Sequence, residues 1–110
     1  GDVQGKICLV NDAMIDTAGS ICAAAETLKN RGAKEIYLST THPILSPPAY
    51  DRLEAAPIEE LLVCNTIPVD ETRLQGKLKI LNISKLLADA IDRVYNNGSV
   101  STMFEEDFNL

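Results

Sequence analysis

Four short apolar runs, separated by segments of helical periodicity, constrain the fold of this chain more than any other feature. They cover residues 7–10, 36–38, 61–63 and, more weakly, 78–83. Runs of this length that are apolar throughout are typical of strands buried on both faces, as in a parallel sheet. Strands that alternate with helices therefore predict an α/β domain in which right-handed crossovers cover both faces of a mainly parallel sheet.

The segment after the first run predicts a helix over residues 21–31. Its apolar residues recur every three or four positions and so share one helical face. They are Ile21, Cys22, Ala25 and Leu28. Gly32 stands where this helix should end, because glycine readily adopts the left-handed backbone that closes a helix.

A second, short helix is expected between the second and third runs. Ser46 is its expected N-cap and Pro47 lies in its first turn, where a missing N–H costs nothing. Tyr50 and Leu53 are expected to turn inward. Pro57 should end the helix, because proline cannot continue it.

The third helix has the most regular pattern and covers residues 85–96. Ser84 is its expected cap, and the pair Asn97 and Gly98 should end it. Its apolar residues form one continuous stripe, which predicts a face packed against other parts of the protein. The stripe consists of Leu86, Leu87, Ala90, Ile91, Val94 and Tyr95.

Length, composition and charge fit one soluble domain. The chain has 110 residues, of which 45% are hydrophobic and 24% charged. No apolar run approaches the roughly 20 residues that span a bilayer, and the first six residues lack the features of a signal peptide. We therefore expect a cytoplasmic location and no membrane partner. A formal net charge of −6 argues against nucleic acid as a partner, because like charges repel.

The three cysteines, Cys8, Cys22 and Cys64, all lie among apolar residues. Their odd number argues against a disulfide framework, and their spacing is not that of a zinc site. We expect them to be reduced residues of the core.

The segment that joins the first strand to the first helix carries the candidate chemistry. Ligands of open α/β sheets bind at the carboxyl ends of strands, where this segment lies. Residues 16–20 suit a phosphate, because small residues allow backbone N–H groups to approach it, while Thr17 and Ser20 add hydroxyls. The carboxylates of Asp12 and Asp16 suit sugar hydroxyls or Mg²⁺. Taken alone, the string also fits a simple helix cap with Gly19 in a tight turn.

Residues 10–20 resemble the ribose-phosphate loop of type I phosphoribosyltransferases and of ribose-phosphate pyrophosphokinases. That loop has two adjacent acids, two apolar residues, then Asp-Thr, a small residue, Gly and Thr. Residues 1–6, 41–44, 65–68 and 99–104 resemble the flanking segments of the pyrophosphokinases. The resemblance to this family therefore extends over essentially the whole chain.

The resemblance implies a Rossmann-like, type I phosphoribosyltransferase-like domain of three layers with a mainly parallel sheet. Residues 1–110 would form a single domain from the C-terminal part of the enzyme, without its ATP-binding N-terminal half. That family transfers the diphosphoryl group of ATP to the 1-hydroxyl of ribose 5-phosphate with Mg²⁺, in a homo-oligomer that is usually a hexamer. We expect this chain alone to be inactive, with no catalytic residue of its own.

Carried over by position, Asp12 would bind ribose hydroxyls or metal-linked water. The 5-phosphate would be wrapped by Asp16, Thr17, Ala18, Gly19 and Ser20. Ala13 departs from the pattern, because it stands where the second acid of the pair is expected. A shift of one residue would instead pair Asn11 with Asp12. Either register lacks one carboxylate.

Two other sets of residues have open interpretations. The resemblance implies that Ser99, Ser101 and Phe104 belong to a phosphate or ADP regulatory site between subunits, and the alternative is an ordinary turn after the last helix. His42, the only histidine, is more simply structural than catalytic because no nucleophile is identifiable beside it. For the whole chain, the alternatives are a non-catalytic regulatory subunit and a phosphoribosyltransferase.

Overall fold

A computed structural model describes residues 2–102, which form a four-stranded parallel sheet with helices in its crossovers. The strand order is β1-β2-β3-β4. The α/β class and the parallel sheet are as predicted. The strands are β1 (Ile7–Ile15), β2 (Glu35–Pro43), β3 (Glu60–Cys64) and β4 (Leu78–Leu81). The helices are α1 (Gly19–Asn30), α2 (Ala49–Ala55) and α3 (Ser84–Tyr95).

The first two strands are longer than their apolar runs. Their pairing continues from Ile7 opposite Glu35 to Ile15 opposite Pro43. Backbone hydrogen bonds make this ladder whatever the side chains are, so the polar residues after the apolar run also pair. Asp12 and His42 consequently lie within strands, whereas the sequence predicted them in the segments that follow the strands.

One face of the sheet is buried under α1, and α2 packs against α1 and adds Ala49 and Leu53 to the same core. The side chains that form this core on β2 and β3 are at most 1% exposed: Ile36, Leu38, Leu61 and Val63. The alternate residues face the other way and remain exposed, for example Leu9 at 68% and Leu62 at 42%. Residues 2–102 therefore supply two of the three predicted layers.

The strand order explains why only one face is covered. Parallel crossovers are almost always right-handed, so successive steps in the same direction across a sheet place their connections on the same side. The order β1-β2-β3-β4 consists only of such steps. The expectation that crossovers cover both faces is therefore wrong for the described part of the chain.

Helix α1 matches its prediction, although it begins at Gly19 rather than at residue 21. Ile21 and Ala25 are buried, and Cys22 and Leu28 pack against the core. Gly32 has a φ of 92° and ends the helix as expected.

Helix α2 begins later than predicted. Ser46 does not cap it; the first helical residue is Ala49, and Pro48 occupies the N-cap position without a side-chain hydrogen bond. Proline disfavours helical backbone at the residue before it, so Pro48 prevents the helix from starting at Pro47. The inward position of Leu53 and the end of the helix before Pro57 are as predicted.

Helix α3 forms where it was predicted, but Ser84 is its first residue and not its cap. The side-chain oxygen of Asn82 accepts the N–H of Ser84 at 2.8 Å, and that of Asn65 accepts the N–H of Ile83 at 2.8 Å. No helix or strand of residues 2–102 packs against α3. Most of its apolar stripe is exposed, with Ile91 at 69% and Val94 at 68%, whereas Leu86 and Ala90 are half-buried.

The three cysteines lie at the margin of the core and not within it, and Cys8 and Cys22 pack against it. Cys8, Cys22 and Cys64 are free thiols, each half-buried. Partial burial raises the pKa of the Cys22 thiol, although the nearby positive charge of Arg52 acts to lower that pKa. Within residues 2–102 no helix has both the length and the apolar character needed to cross a bilayer.

Candidate functional site

The segment between β1 and α1 surrounds a cavity of about 190 Å³. All six residues expected at the ribose-phosphate loop line it, so the structure brings them together at one place. The lining consists of Asp12, Met14, Ile15, Asp16, Thr17, Ala18, Gly19, Ser20 and Ile21. The segment is anchored at its start, because the carbonyl of Ile15 accepts the N–H groups of Ile44 and Leu45 at 3.0 and 3.1 Å.

The backbone of this loop presents hydrogen-bond donors. Ala18 is buried and left-handed, with a φ of 66°, and occupies the N-cap position of α1 without a side-chain hydrogen bond. The first bond of the helix runs from the N–H of Cys22 to the carbonyl of Ala18 at 3.1 Å. In the described residues, no protein group accepts the N–H groups of residues 17–21. Such a group of donors at a helix N-terminus is suited to an anion.

Asp12 is the strand residue that brings a carboxylate to the cavity. Its neighbour Asn11 faces the opposite side of the sheet, where its side-chain oxygen accepts the hydroxyl of Ser39 at 2.7 Å. Side chains alternate along a strand, and Asp12 and Met14 both line the cavity. Ala13 itself does not line the cavity, whereas Ile15, two residues further along β1, does. The alternation of side chains along β1 therefore ends before Ile15.

Thr40 is the direct neighbour of Asp12 in the β1–β2 pairing. Its side chain is 3% exposed, and its hydroxyl has no hydrogen-bond partner in the described structure. A buried hydroxyl without a partner costs free energy, because folding removes it from water without replacing its hydrogen bonds. Nothing in the sequence pattern distinguishes this threonine from its neighbour Thr41.

Arg52 lies behind the loop and was missed by the sequence analysis. This α2 residue donates from Nη1 to the carbonyl of Thr17 at 3.0 Å. A Cβ atom built on Gly19 would approach the same Nη1 to 3.1 Å. The contact joins positions 35 residues apart, and only the packing of α1 on α2 creates it, so no local pattern could have indicated it.

His42 has a structural contact. Its Nδ1 lies 3.0 Å from the hydroxyl of Thr66, which itself donates to the carbonyl of Thr41 at 2.8 Å. A hydroxyl has one proton, so Thr66 accepts from His42, and Nδ1 is the protonated ring nitrogen. These bonds tie the end of β2 to the segment after β3, in agreement with the structural interpretation.

A second charged cluster lies between α2 and the connection to β4. The Arg73 guanidinium reaches the carboxylates of Glu54 and Asp51, each at 2.7 Å. Hydrogen bonds from Arg73 and then from the backbone N–H of Leu74 hold the pKa of Glu54 below its usual range. The same guanidinium lies 5.2 Å from the centre of the Tyr50 ring. Arg73 is therefore engaged in holding the fold together.

The proposed regulatory serines follow α3 and do not line the cavity at the β1–α1 loop. The carbonyl of Ser99 accepts from the Arg93 side chain and from the Thr102 hydroxyl, both at 3.0 Å. Its side-chain oxygen lies 3.4 Å from the N–H of Thr102, and Ser101 is exposed. Phe104 lies outside the described residues. Residues 100–102 are helical, and the bond from the Thr102 N–H to the Ser99 side chain is typical of an N-cap residue.

Residues 1–105 match a family model described as the phosphoribosyl synthetase-associated domain. This chain belongs to that family. A ribose-phosphate pyrophosphokinase of Staphylococcus haemolyticus is 47% identical over 105 residues, and ribose-phosphate pyrophosphokinase 1 of Listeria monocytogenes is 46% identical over 105 residues. The resemblance seen in the sequence is thereby confirmed at the level of the family.

A solved structure agrees with these relatives. The crystal structure of phosphoribosylpyrophosphate synthetase from Mycobacterium smegmatis superimposes with a TM-score of 0.84 at 43% identity, over 89% of this chain and 33% of that one. The two bacterial relatives are likewise matched over 96% of this chain and 33% of their own length. This phosphoribosyl synthetase-associated domain thus spans about a third of the proteins that it resembles.

Proposed function

We propose that this chain is the ribose 5-phosphate-binding part of a ribose-phosphate pyrophosphokinase and corresponds to the C-terminal part of that enzyme. The complete enzyme would transfer diphosphate from ATP to the 1-hydroxyl of ribose 5-phosphate, in the cytoplasm and as a homo-oligomer. The observation that carries the proposal is the β1–α1 cavity, where unbonded N–H groups and two carboxylates line the same space.

The phosphate of the sugar would occupy the N-terminal end of α1. There the N–H groups of residues 17–21 and the hydroxyls of Thr17 and Ser20 are donors, and the helix dipole favours a negative charge. Asp12 lies further back on β1, on the side of the cavity that the ribose would reach. Its carboxylate would accept hydrogen bonds from the sugar hydroxyls.

The carboxylates of Asp12 and Asp16 would be the protein ligands of a magnesium ion in this cavity. No group of three or more His, Cys, Asp or Glu side chains suited to a metal occurs in residues 2–102. Mg²⁺ at phosphate-substrate sites typically takes only one or two protein carboxylates, with substrate oxygens and water completing its shell. Two cavity carboxylates match that requirement. Bound Mg²⁺ would neutralise charge on the phosphoryl oxygens during transfer.

This chain alone would bind the sugar phosphate without turnover. Transfer of a diphosphoryl group needs several cations around the charge that develops, whereas the chain has a net charge of −6 and its Arg73 is held by two carboxylates. The ATP-binding residues would come from the part of the longer enzyme that this chain does not match. Ser99, Ser101 and Phe104 would contribute to a phosphate or ADP regulatory site in the assembled oligomer.

A non-catalytic regulatory subunit is the second candidate. The exposed face of the sheet and the exposed stripe of α3 favour it, because apolar surfaces of this extent are suited to association with other subunits. Such a subunit would assemble with active partners and need not bind ribose 5-phosphate.

Calorimetric titration tests the phosphate half of the proposal. Ribose 5-phosphate should bind the purified chain, and Ser20→Asp should lower its affinity on the order of 100-fold, because an acid at the first turn repels the phosphate. The same acid should not destabilise α1, since it complements the helix dipole. Ser20→Asn is the matched neutral control. No binding by the unaltered chain at millimolar ligand would contradict the proposal and favour the regulatory subunit.

A second titration tests the role of Asp12. In a titration without Mg²⁺, Asp12→Asn should weaken ribose 5-phosphate about tenfold and leave inorganic phosphate unaffected, because Asp12 would then accept hydrogen bonds only from the sugar hydroxyls. Asp89→Asn, on α3, is the matched control for the lost charge. Equal weakening of both ligands would show that Asp12 acts on the phosphate or on the fold.

An assay for ATP-dependent formation of phosphoribosyl pyrophosphate tests the expected inactivity. The chain alone should give no product at concentrations where it binds ribose 5-phosphate. Turnover by the purified chain would show that ATP binds here as well, and the fragment interpretation would then be wrong.

A further inference from the structure

We propose that Arg52 is a positioning residue for the phosphate loop: its guanidinium holds the Thr17 carbonyl outside the cavity, so that the N–H groups that follow point into it. This inference rests on the proposed function, because it concerns the same loop. Arg52 lies on α2, and neither the sequence pattern nor the family resemblance assigned it a role.

The orientation of one peptide group carries the argument. In a trans peptide the C=O and the next N–H point in opposite directions. The Thr17 carbonyl points to Arg52, whose Nη1 lies 3.0 Å away, so the N–H of Ala18 points away from Arg52. Ala18 itself lines the cavity and has a φ of 66°, a backbone conformation that gathers successive N–H groups on one concave side.

Arg52 acts from behind the loop and not from within the site. It is absent from the lining of the 190 Å³ cavity and instead borders a separate depression of about 400 Å³ between α1 and α2. Gly19 borders both spaces. The loop is therefore the wall that separates Arg52 from the phosphate position.

Gly19 gives a second, independent observation. A Cβ atom at this position would lie 3.1 Å from Nη1 of Arg52, closer than an ordinary van der Waals contact. A side chain here would therefore press on the guanidinium beside the Thr17 carbonyl. Because this Cβ would point at Arg52, an alanine here would disturb the guanidinium while the cavity side of the loop stays open.

The test compares four variants by calorimetric titration with ribose 5-phosphate and with inorganic phosphate. Arg52→Met should weaken both ligands about tenfold, the loss expected for one charge-assisted hydrogen bond that orders a donor group. Arg52→Lys keeps a charge and a donor and should recover part of the affinity. Arg31→Met, at the other end of α1, removes the same charge and should leave both affinities unchanged. Gly19→Ala should weaken both ligands in the same direction but by less than Arg52→Met, because the alanine Cβ displaces the guanidinium without removing it.

The double variant Gly19→Ala with Arg52→Met tests whether the two residues affect binding through the same contact. If the alanine acts only by displacing the guanidinium, the double variant should bind no more weakly than Arg52→Met alone. Amide ¹H–¹⁵N shifts of residues 17–20 in the ligand-free chain should change in Arg52→Met and stay unchanged in Arg31→Met. A fold that merely loosens would change amide shifts throughout the domain.

The outcomes separate this inference from the proposed function. If the unaltered chain binds ribose 5-phosphate and Arg52→Met binds it equally well, Arg52 does not position the loop and the proposed function stands. Additive losses in the double variant would likewise overturn the inference, because they would show that Gly19 and Arg52 act separately. If the unaltered chain binds neither ribose 5-phosphate nor phosphate, both proposals are wrong.

Discussion

The two amphipathic helices α1 and α3 have the same length but very different surroundings. Each has 12 residues. In α1 the apolar face is buried, with Ile21 at 6% and Ala25 at 0% exposure, whereas in α3 Ile91 is 69% exposed. Helical periodicity thus predicts where a helix forms and which face is apolar. It does not predict what covers that face.

The comparison divides the described chain into two regions. The loop-bearing region runs from β1 to β3, over residues 7–64, and contains the cavity and most of the core. The terminal region consists of β4 and α3, over residues 78–95, and no helix or strand within residues 2–102 covers α3. The candidate site therefore belongs to the region in which helices cover one face of the sheet.

The largest expected effect is the difference in stability loss between a buried residue of the loop-bearing region and an exposed apolar residue of the terminal region. Leu61→Ala, at a residue with 0% exposure, should lower the free energy of unfolding by about 2–5 kcal/mol, because it leaves a cavity in the core. Ile91→Ala should change it by no more than about 0.5 kcal/mol. Urea denaturation of both variants measures the difference. A loss of stability at Ile91 comparable to that at Leu61 would show that α3 is packed in solution.

Much of the loop-bearing region follows from local rules that the sequence displays. The stripe that includes Ile21 and Ala25 forms the buried face of α1, and the small residues from Asp16 to Ser20 surround the cavity. The extent of β1 was underestimated, because backbone pairing with β2 continues past the apolar run and includes Asp12. A run of side-chain types contains little information on where backbone pairing stops.

The remaining errors concern contacts between distant segments. Arg52 could not be connected with Thr17 by spacing, since the bond depends on how α2 packs against α1. Ser46 was a reasonable cap by residue type, but Pro48 moved the start of the helix. In each case a tertiary or neighbouring constraint overrode a local preference.

A smaller effect is expected at Thr40, inside the loop-bearing region. Thr40→Val removes a buried hydroxyl without a partner and keeps the shape of the side chain, so it should stabilise the chain by about 1 kcal/mol. Thermal unfolding in the absence of ligand measures this gain. Thr41→Val, at the exposed neighbour, is the control and should produce no such gain. Destabilisation by Thr40→Val would show that the hydroxyl has a hydrogen-bond partner in solution.

The connection between the two regions contains backbone strain. Leu74, Gln75 and Gly76 form a left-handed turn, with φ values of 70°, 51° and 84°. Gln75 is exposed, so Gln75→Gly should relieve its unfavourable conformation without loss of packing. Allowing for the greater freedom of glycine in the unfolded chain, we expect a gain of at most about 1 kcal/mol. Gly76→Ala should have the opposite sign, and stabilisation by that variant would contradict the left-handed turn.

The smallest expected effect is a pH dependence at the ion pair that joins the two regions. Glu54 of α2 binds Arg73 and the N–H of Leu74, which precede β4, and its pKa is lowered from an ordinary value of 4.5, chiefly by the hydrogen bond from Arg73. A carboxyl with a lowered folded-state pKa stabilises the fold above its unfolded pKa. That stability is lost as the pH falls through the folded-state pKa. Solvent screening keeps the effect small.

Glu54→Gln keeps the acceptor for Leu74 and removes the titration. Between pH 5 and pH 3, the free energy of unfolding should therefore fall less steeply in Glu54→Gln than in the unaltered chain, as measured by urea denaturation at each pH. Glu59→Gln is the control, because no salt bridge to Glu59 occurs in the described structure. Parallel pH profiles for Glu54→Gln and the unaltered chain would mean that the pair does not hold the connection in solution. The link between the two regions would then depend on the buried side chain of Leu74.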